Sequence, residues 1–232
     1  MIFRFNQKIT NQFLQKNKMA LVGKKFPSLN VDAMNDMGDT FKLNVLEEAV
    51  NNKKKVVLFW YPKDFTFVCP TELHAFQAAL GEFEKRNTIV IGASCDTPEV
   101  HFAWLSTAKD NGGIEGVTYP ILADSNRNLS NVLDILDITN ETFDEETGTI
   151  QVEGDNVTYR ATYIIDEAGV VQHESINNMP LGRNVGEYLR LVDALTHVQE
   201  KGEVCPANWE EGKDAMSANA KATAEYLAAH AN

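Results

Sequence analysis

The sequence predicts an α/β fold, and three observations carry that prediction. Val56-Val57-Leu58-Phe59-Trp60 is continuously apolar and rich in β-branched and aromatic residues, as a strand buried on both faces requires. Thr88-Ile89-Val90-Ile91-Gly92-Ala93 repeats that pattern. Between the two, Leu73, Phe76, Leu80 and Phe83 recur at helical spacing, and strands alternating with helices make a sheet flanked by helices.

In chain order, Leu29 to Leu43 holds two short extended stretches around Asn35-Asp36-Met37-Gly38-Asp39, the pattern of a hairpin. The first buried strand ends at Trp60, and Pro70 suits the first position of the helix that follows. After the second strand, Pro98 opens a helix reaching about Lys109, where Asn111-Gly112-Gly113 stops it. A strand around Thr118 to Leu122 precedes a helix near Asn128 to Leu136. Residues 139–158 contain turn-like Asp144-Glu145-Glu146-Thr147-Gly148 and Glu153-Gly154-Asp155-Asn156, with Thr149 to Val152 able to form a strand between them, so a surface hairpin is expected. Arg160 to Asp166 and Val170 to Ser175 flank the turn Glu167-Ala168-Gly169. Arg183 to Gln199 places Val185, Leu189, Val192 and Leu195 on one helical stripe, and alanine-rich Met216 to Ala231 suits a tail helix that needs something to dock on.

The chain has 232 residues, 44% hydrophobic and 23% charged, which fits one domain with appended segments. A net charge of −12 argues against nucleic acid or an anionic membrane as partner, and no apolar run nears the roughly 20 residues of a membrane helix. A soluble, cytoplasmic protein is expected. Residues 1–18 carry Arg4, Lys8, Lys16 and Lys18 and no acid, but they lack the abundant serine and arginine of a transit peptide. An over-long start is preferred to organelle targeting. The domain then runs over 19–182, with 183–232 as the last core helix and C-terminal region.

Three cysteines are an odd number and form no Cys-x-x-Cys pair, and the five histidines lack zinc spacing. No phosphate-binding or dinucleotide motif follows a strand, so no cofactor is expected. Cys69 stands where a strand signal gives way to a helix signal, and unpaired N–H groups at a helix start favour thiolate over thiol. By themselves the neighbouring residues admit plainer readings: a buried inert thiol for Cys69, a turn cap for Thr66, a surface strand residue for Arg160, and ordinary surface charges for Glu72 and Arg183.

Pro62-x-x-x-Thr66-x-x-Cys69 resembles the active-site signature of the peroxiredoxins, and Phe67-Val68-Cys69-Pro70-Thr71-Glu72 resembles their typical two-cysteine branch, which includes the alkyl hydroperoxide reductase C proteins. The likeness continues through Ser94-Cys95-Asp96, Trp104, Tyr119 to Asp124, Arg160 to Asp166 and Gly182-Arg183 to Val204-Cys205-Pro206-Ala207-Asn208-Trp209. It implies a thioredoxin-like fold with a central mixed sheet flanked by helices, an N-terminal hairpin and a C-terminal helical tail packed over the active site. It also implies a thiol-dependent peroxidase acting on hydrogen peroxide and organic hydroperoxides. Cys69 is then the peroxidatic cysteine, Thr66 and Arg160 orient the peroxide, Pro62 shields it, and Glu72 and Arg183 fix Arg160. Cys205 resembles the resolving cysteine, which pairs with Cys69 of the neighbouring protomer in a homodimer, itself part of a ring-shaped decamer. Cys95 is expected as a core hydrophobe. Thioredoxin or a flavoprotein disulfide reductase would regenerate the thiols, because this chain has no redox motif of its own. Gly112-Gly113-Ile114-Glu115-Gly116 and Tyr226-Leu227 are altered forms of the segments that slow helix unwinding in the family, which implies intermediate sensitivity to over-oxidation. A holdase chaperone and a thioredoxin-like disulfide reductase are the competing functions.

Overall fold

The protein's structure is a computed structural model that describes residues 20–230. The expected extension at residues 1–18 lies outside the described residues. Seven strands form one sheet: β1 (Val31–Met34), β2 (Thr40–Leu43), β3 (Lys55–Trp60), β4 (Thr88–Ser94), β5 (Ile121–Ala123), β8 (Arg160–Ile165) and β9 (Val171–Asn177). Their order is β2-β1-β5-β4-β3-β8-β9. β4 pairs in parallel with β3 and β5, and the remaining pairs are antiparallel, so the sheet is mixed as expected.

Alternation along β3 divides the core in two. Val56, Leu58 and Trp60 face one side, with Val45 and Ala49 of α1 (Val45–Asn52) and Leu129 and Leu133 of α5 (Asn128–Leu133). Val57, Phe59 and Tyr61 face the other, with residues of α2 (Cys69–Ala78), α3 (Leu80–Lys85), α4 (Pro98–Leu105) and α6 (Val185–Lys201). Both faces of the central strands are covered, which is why those strands read as unbroken apolar runs.

The structure corrects several boundaries. Helix α1 is absent from the sequence expectations. It buries Val45 and Ala49, four residues apart on one face, and Asn44 caps it by accepting from the Glu47 N–H at 3.4 Å, a contact worth about 1 kcal/mol. Cys69 itself, not Pro70, takes the first helical position, and the long helix expected behind it divides at Ala79 into α2 and α3. α4 stops at Leu105, short of Lys109, where the Ser106 and Thr107 hydroxyls turn back onto the Phe102 and Ala103 carbonyls. β5 starts at Ile121 rather than Thr118, since Pro120 has no N–H for a ladder. α5 ends at Leu133, before Leu136, because Asp134 enters the left-handed region at φ 54°.

The hairpin within 139–158 forms as β6 (Asn140–Asp144) and β7 (Thr149–Glu153), paired separately from the main sheet. The tail forms α7 (Ala220–His230), without a buried residue. Its described contacts run to Asn219 and Asp214 and within its own turns.

Candidate active site

Cys69 opens α2 at the C-terminal end of β3, fully buried. The loop between them carries Pro62, which is buried, and Thr66. Thr66 Oγ1 lies 2.9 Å from Cys69 Sγ and 2.8 Å from the Lys63 carbonyl. One hydroxyl proton therefore serves two acceptors: it can bond the carbonyl while a thiol donates to the oxygen, and turn to the sulfur once that is a thiolate. Between Asp64 and Thr66, Phe65 adopts φ 53°, a left-handed conformation costing a bulky residue about 1–3 kcal/mol.

Arg160, the first residue of β8, reaches Cys69 across the sheet. Its Nη1 donates to Sγ at 3.3 Å and to Glu72 Oε2 at 2.7 Å, while Nε donates to the Met179 carbonyl at 2.6 Å. Arg183 holds the other side of the carboxylate, with Nε donating to Oε1 and Nη2 to Oε2, both at 2.9 Å, and its backbone N–H also donating to Oε1 at 2.9 Å. Its guanidinium stacks 5.1 Å from the Phe59 ring centroid and donates through Nη1 to the Ala161 carbonyl and Thr162 Oγ1. All three charged side chains are at most 4% exposed. Burial opposes the charge on Glu72, but the Arg183 and Arg160 guanidiniums outweigh it and hold the carboxyl below its ordinary value of 4.5.

Counting charge decides what the cluster favours. Two buried guanidiniums face one carboxylate, which leaves one positive charge unmatched beside Cys69 Sγ. A sulfur flanked by the Thr66 hydroxyl and an Arg160 N–H suits, as thiolate, attack on an electrophilic oxygen and stabilisation of the charge that departs. Replacing Arg160 with methionine, which keeps length and loses every donor, is expected to slow oxidation of Cys69 by hydrogen peroxide about 100-fold in stopped-flow fluorescence.

The structure thus brings Thr66, Arg160, Glu72 and Arg183 together with Cys69. It does not bring Cys205 there: that thiol lies between α6 and α7, its Sγ 3.7 Å from the Ala194 carbonyl, and burial raises it above its ordinary value. Both sulfurs are free. Cys95 is buried 3.6 Å from Ser130 Oγ, and burial pushes its thiol up to about 11.

One group escapes a reading of the sequence. Asp64, Tyr61 and His101 meet in a buried hydrogen-bonded cluster beneath the active-site loop. Histidine spacing tests His101 only as a metal ligand, and the proline-to-cysteine spacing around Asp64 gives no sign that its carboxylate is buried.

A family described as AhpC/TSA matches residues 22–174, and one described as the C-terminal domain of 1-Cys peroxiredoxin matches residues 194–229. Alkyl hydroperoxide reductase C of Helicobacter pylori is 40% identical over 210 residues, 89% of this chain and 96% of that protein. The chloroplastic 2-Cys peroxiredoxin BAS1 of Hordeum vulgare is 38% identical over 211 residues, covering 91% and 92%. The reduced 2-Cys peroxiredoxin of Plasmodium vivax, solved by crystallography, superposes with a TM-score of 0.80 at 35% identity, covering 90% of this chain and all of that one.

Proposed function

Because this chain belongs to the AhpC/TSA family of peroxiredoxins, we propose a complete catalytic cycle for it, with a role for each residue gathered around Cys69. The protein is a thiol-dependent peroxidase with an antioxidant function, and it acts on peroxides. The Cys69 thiolate attacks one peroxide oxygen, the O–O bond breaks, and the leaving oxygen takes a proton to become alcohol or water. Cys69 is left as sulfenic acid. Thr66 and Arg160 hold the oxygens, Glu72 and Arg183 hold Arg160, and buried Pro62 keeps water from the pocket. The observation that carries this assignment is the Thr66–Cys69–Arg160 contact, at 2.9 Å and 3.3 Å.

In the second half, the sulfenic acid condenses with the Cys205 thiol of a neighbouring protomer, forming the S–S bond and releasing water. The separation of the two sulfurs within one chain supports a bond between protomers. Phe67, 94% exposed, and Phe65, 55% exposed, stand on the active-site loop, and apolar aromatics in solvent beside a catalytic cysteine favour a second copy covering them. A dimer within a ring of five dimers is the assembly proposed. An external dithiol protein, thioredoxin or a flavoprotein disulfide reductase, then reduces the bond. The cytoplasm is the proposed compartment, a reducing setting in keeping with three free cysteines. A chaperone role is not favoured.

One equivalent of hydrogen peroxide added to reduced protein is expected to give a Cys69–Cys205 crosslink between chains on non-reducing gels with peptide mapping, absent in Cys69→Ser and Cys205→Ser. Cys69 held as sulfenic acid beside a free Cys205 would instead mean an external resolving thiol.

The first turn of α2 must unwind for that bond to form, and the segment at 112–116 is tied to it: Gly113 offers its carbonyl to His74 Nε2 of α2 at 3.1 Å, and Trp104 Nε1 donates to the Gly112 carbonyl at 2.9 Å. Ile114 is fully buried, its N–H donating to the Trp104 carbonyl. With this restraint but an exposed Leu227 beside a half-buried Tyr226 in a tail helix without a fully buried residue, intermediate sensitivity follows. Turnover at rising peroxide should fall at high concentration, and activity that never fell would contradict it.

A further inference from the structure

The loop from Tyr61 to Val68 has no helix or strand to hold it, yet Pro62 and Thr66 must be fixed against Cys69. What fixes it lies at Asp64, two residues from each. Asp64 Oδ1 accepts from the Tyr61 hydroxyl at 2.7 Å, and Oδ2 stands 2.7 Å from His101 Nδ1. The Asp64 backbone N–H donates at 2.9 Å to Asp96 Oδ2, which also accepts from Ser94 Oγ at 2.7 Å. The Tyr61 carbonyl accepts from Thr158 Oγ1 at 2.9 Å, two residues before Arg160. His101 comes from α4 and is completely buried.

Proton positions follow from the partners. His101 Nε2 faces the Leu122 carbonyl of β5 at 3.2 Å, and a carbonyl only accepts, so Nε2 carries a hydrogen. A second proton must lie between Nδ1 and Oδ2, because two lone pairs do not approach to 2.7 Å. The carboxylate is thus gripped from three elements at once: the end of β3, helix α4 and, through the imidazole, strand β5. A group serving stability alone would be served as well by apolar side chains, which avoid the desolvation of a buried polar pair. The position of this one, midway between Pro62 and Thr66 and next to the left-handed Phe65, is where a displacement of the loop would move the Thr66 hydroxyl off the sulfur.

We propose that Tyr61, Asp64 and His101 form a buried clamp that sets the active-site loop, making His101 a positioning residue for the reaction of peroxide at Cys69 although it touches neither sulfur nor substrate. The clamp rests on Cys69 being the peroxidatic thiol. It acts on orientation, so it matters for a substrate that must be aligned by Thr66 and Arg160. It matters little for a small alkylating agent, which needs only an accessible nucleophile.

The test compares two rates at Cys69 in the full-length reduced protein, oxidation by hydrogen peroxide and alkylation by iodoacetamide. The variants are His101→Leu, His101→Asn and Tyr61→Phe, each checked by thermal melting. His101→Leu should slow oxidation about 100-fold while alkylation stays within about twofold, the signature of lost alignment. His101→Asn, whose amide can donate from the place of Nδ1, should recover most of the loss. Tyr61→Phe removes one hydroxyl and should slow oxidation about tenfold. Oxidation unchanged in all three, or oxidation and alkylation falling together, would overturn the clamp. If His101→Leu fails to fold, Tyr61→Phe decides, since an unchanged ratio of the two rates there overturns it equally. Wild-type Cys69 that does not react with peroxide would instead remove the peroxidatic assignment beneath it.

Discussion

Cys69→Ser is expected to lose peroxide turnover by at least about 10⁴-fold, read as peroxide consumption with dithiothreitol as reductant. The substitution keeps the helix start, the Thr66 hydroxyl and the Arg160 donors, and replaces a polarisable, nucleophilic sulfur with a harder and far weaker oxygen nucleophile. Arg160 and Thr66 then have no nucleophile to orient. Retention of more than a few per cent of the activity would place the nucleophile at another sulfur. Cys95 is poorly suited, since burial pushes its thiol up to about 11 and it packs against Ser130 on the other side of β4. Cys205 is half-buried and raised by the same cause, so residual activity would be traced there first by combining Cys69→Ser with Cys205→Ser.

Glu72→Ala is expected to destabilise the protein by about 3–5 kcal/mol, measured by urea unfolding, and to lower activity in parallel. The reason is that the change strips two buried guanidiniums of their shared counter-ion. Arg183 keeps the Ala161 carbonyl and Thr162 Oγ1, and Arg160 keeps the Met179 carbonyl, so the loss belongs near the lower end of that range. Arg160 would be left with the Met179 carbonyl and Cys69 Sγ as its described partners, free to swing away from the sulfur. Glu72→Gln, of the same shape but neutral, should fall between wild type and alanine. The same carboxyl predicts an acid limb. Its folded-state value lies below the ordinary 4.5, so its contribution is complete above that pH and is lost as pH falls through the lowered value. Melting temperature followed downward from pH 6 should drop more steeply below pH 4.5 in wild type than in Glu72→Gln. Parallel curves would mean that this ion cluster does not set acid stability.

Much of the site was legible because its chemistry is local in sequence. Thr66 and Cys69 are three residues apart at a strand-to-helix junction, and that spacing alone places a hydroxyl beside a sulfur. Arg160 lies 91 residues from Cys69 and was legible only through family resemblance, since nothing local separates it from a surface strand arginine. The cluster of Tyr61, Asp64 and His101 was illegible for the same reason without that help: a buried aspartate looks like a loop aspartate until a histidine 37 residues away closes on it. Helix α1 escaped although Val45 and Ala49 share one face and Asn44 followed by Glu47 was there to be read as a cap. The tail helix was legible as a helix, but the surface it packs on was not. Alanine-rich composition speaks to helix propensity, whereas docking depends on a complementary surface.

By itself, then, the sequence determined the α/β alternation, the strands buried on both faces and the cysteine at a helix start. These depend on periodicity and on the chemistry of neighbours along the chain. Only the tertiary structure decided that two arginines share one carboxylate against the Cys69 sulfur, that Cys205 sits apart from it, and that the active-site loop is gripped from beneath by an imidazole. The first and the last are matters of charge and hydrogen bonding between groups 37 to 111 positions apart. Burial makes such contacts strong, and burial is a property of the packed molecule that no single segment of the chain possesses.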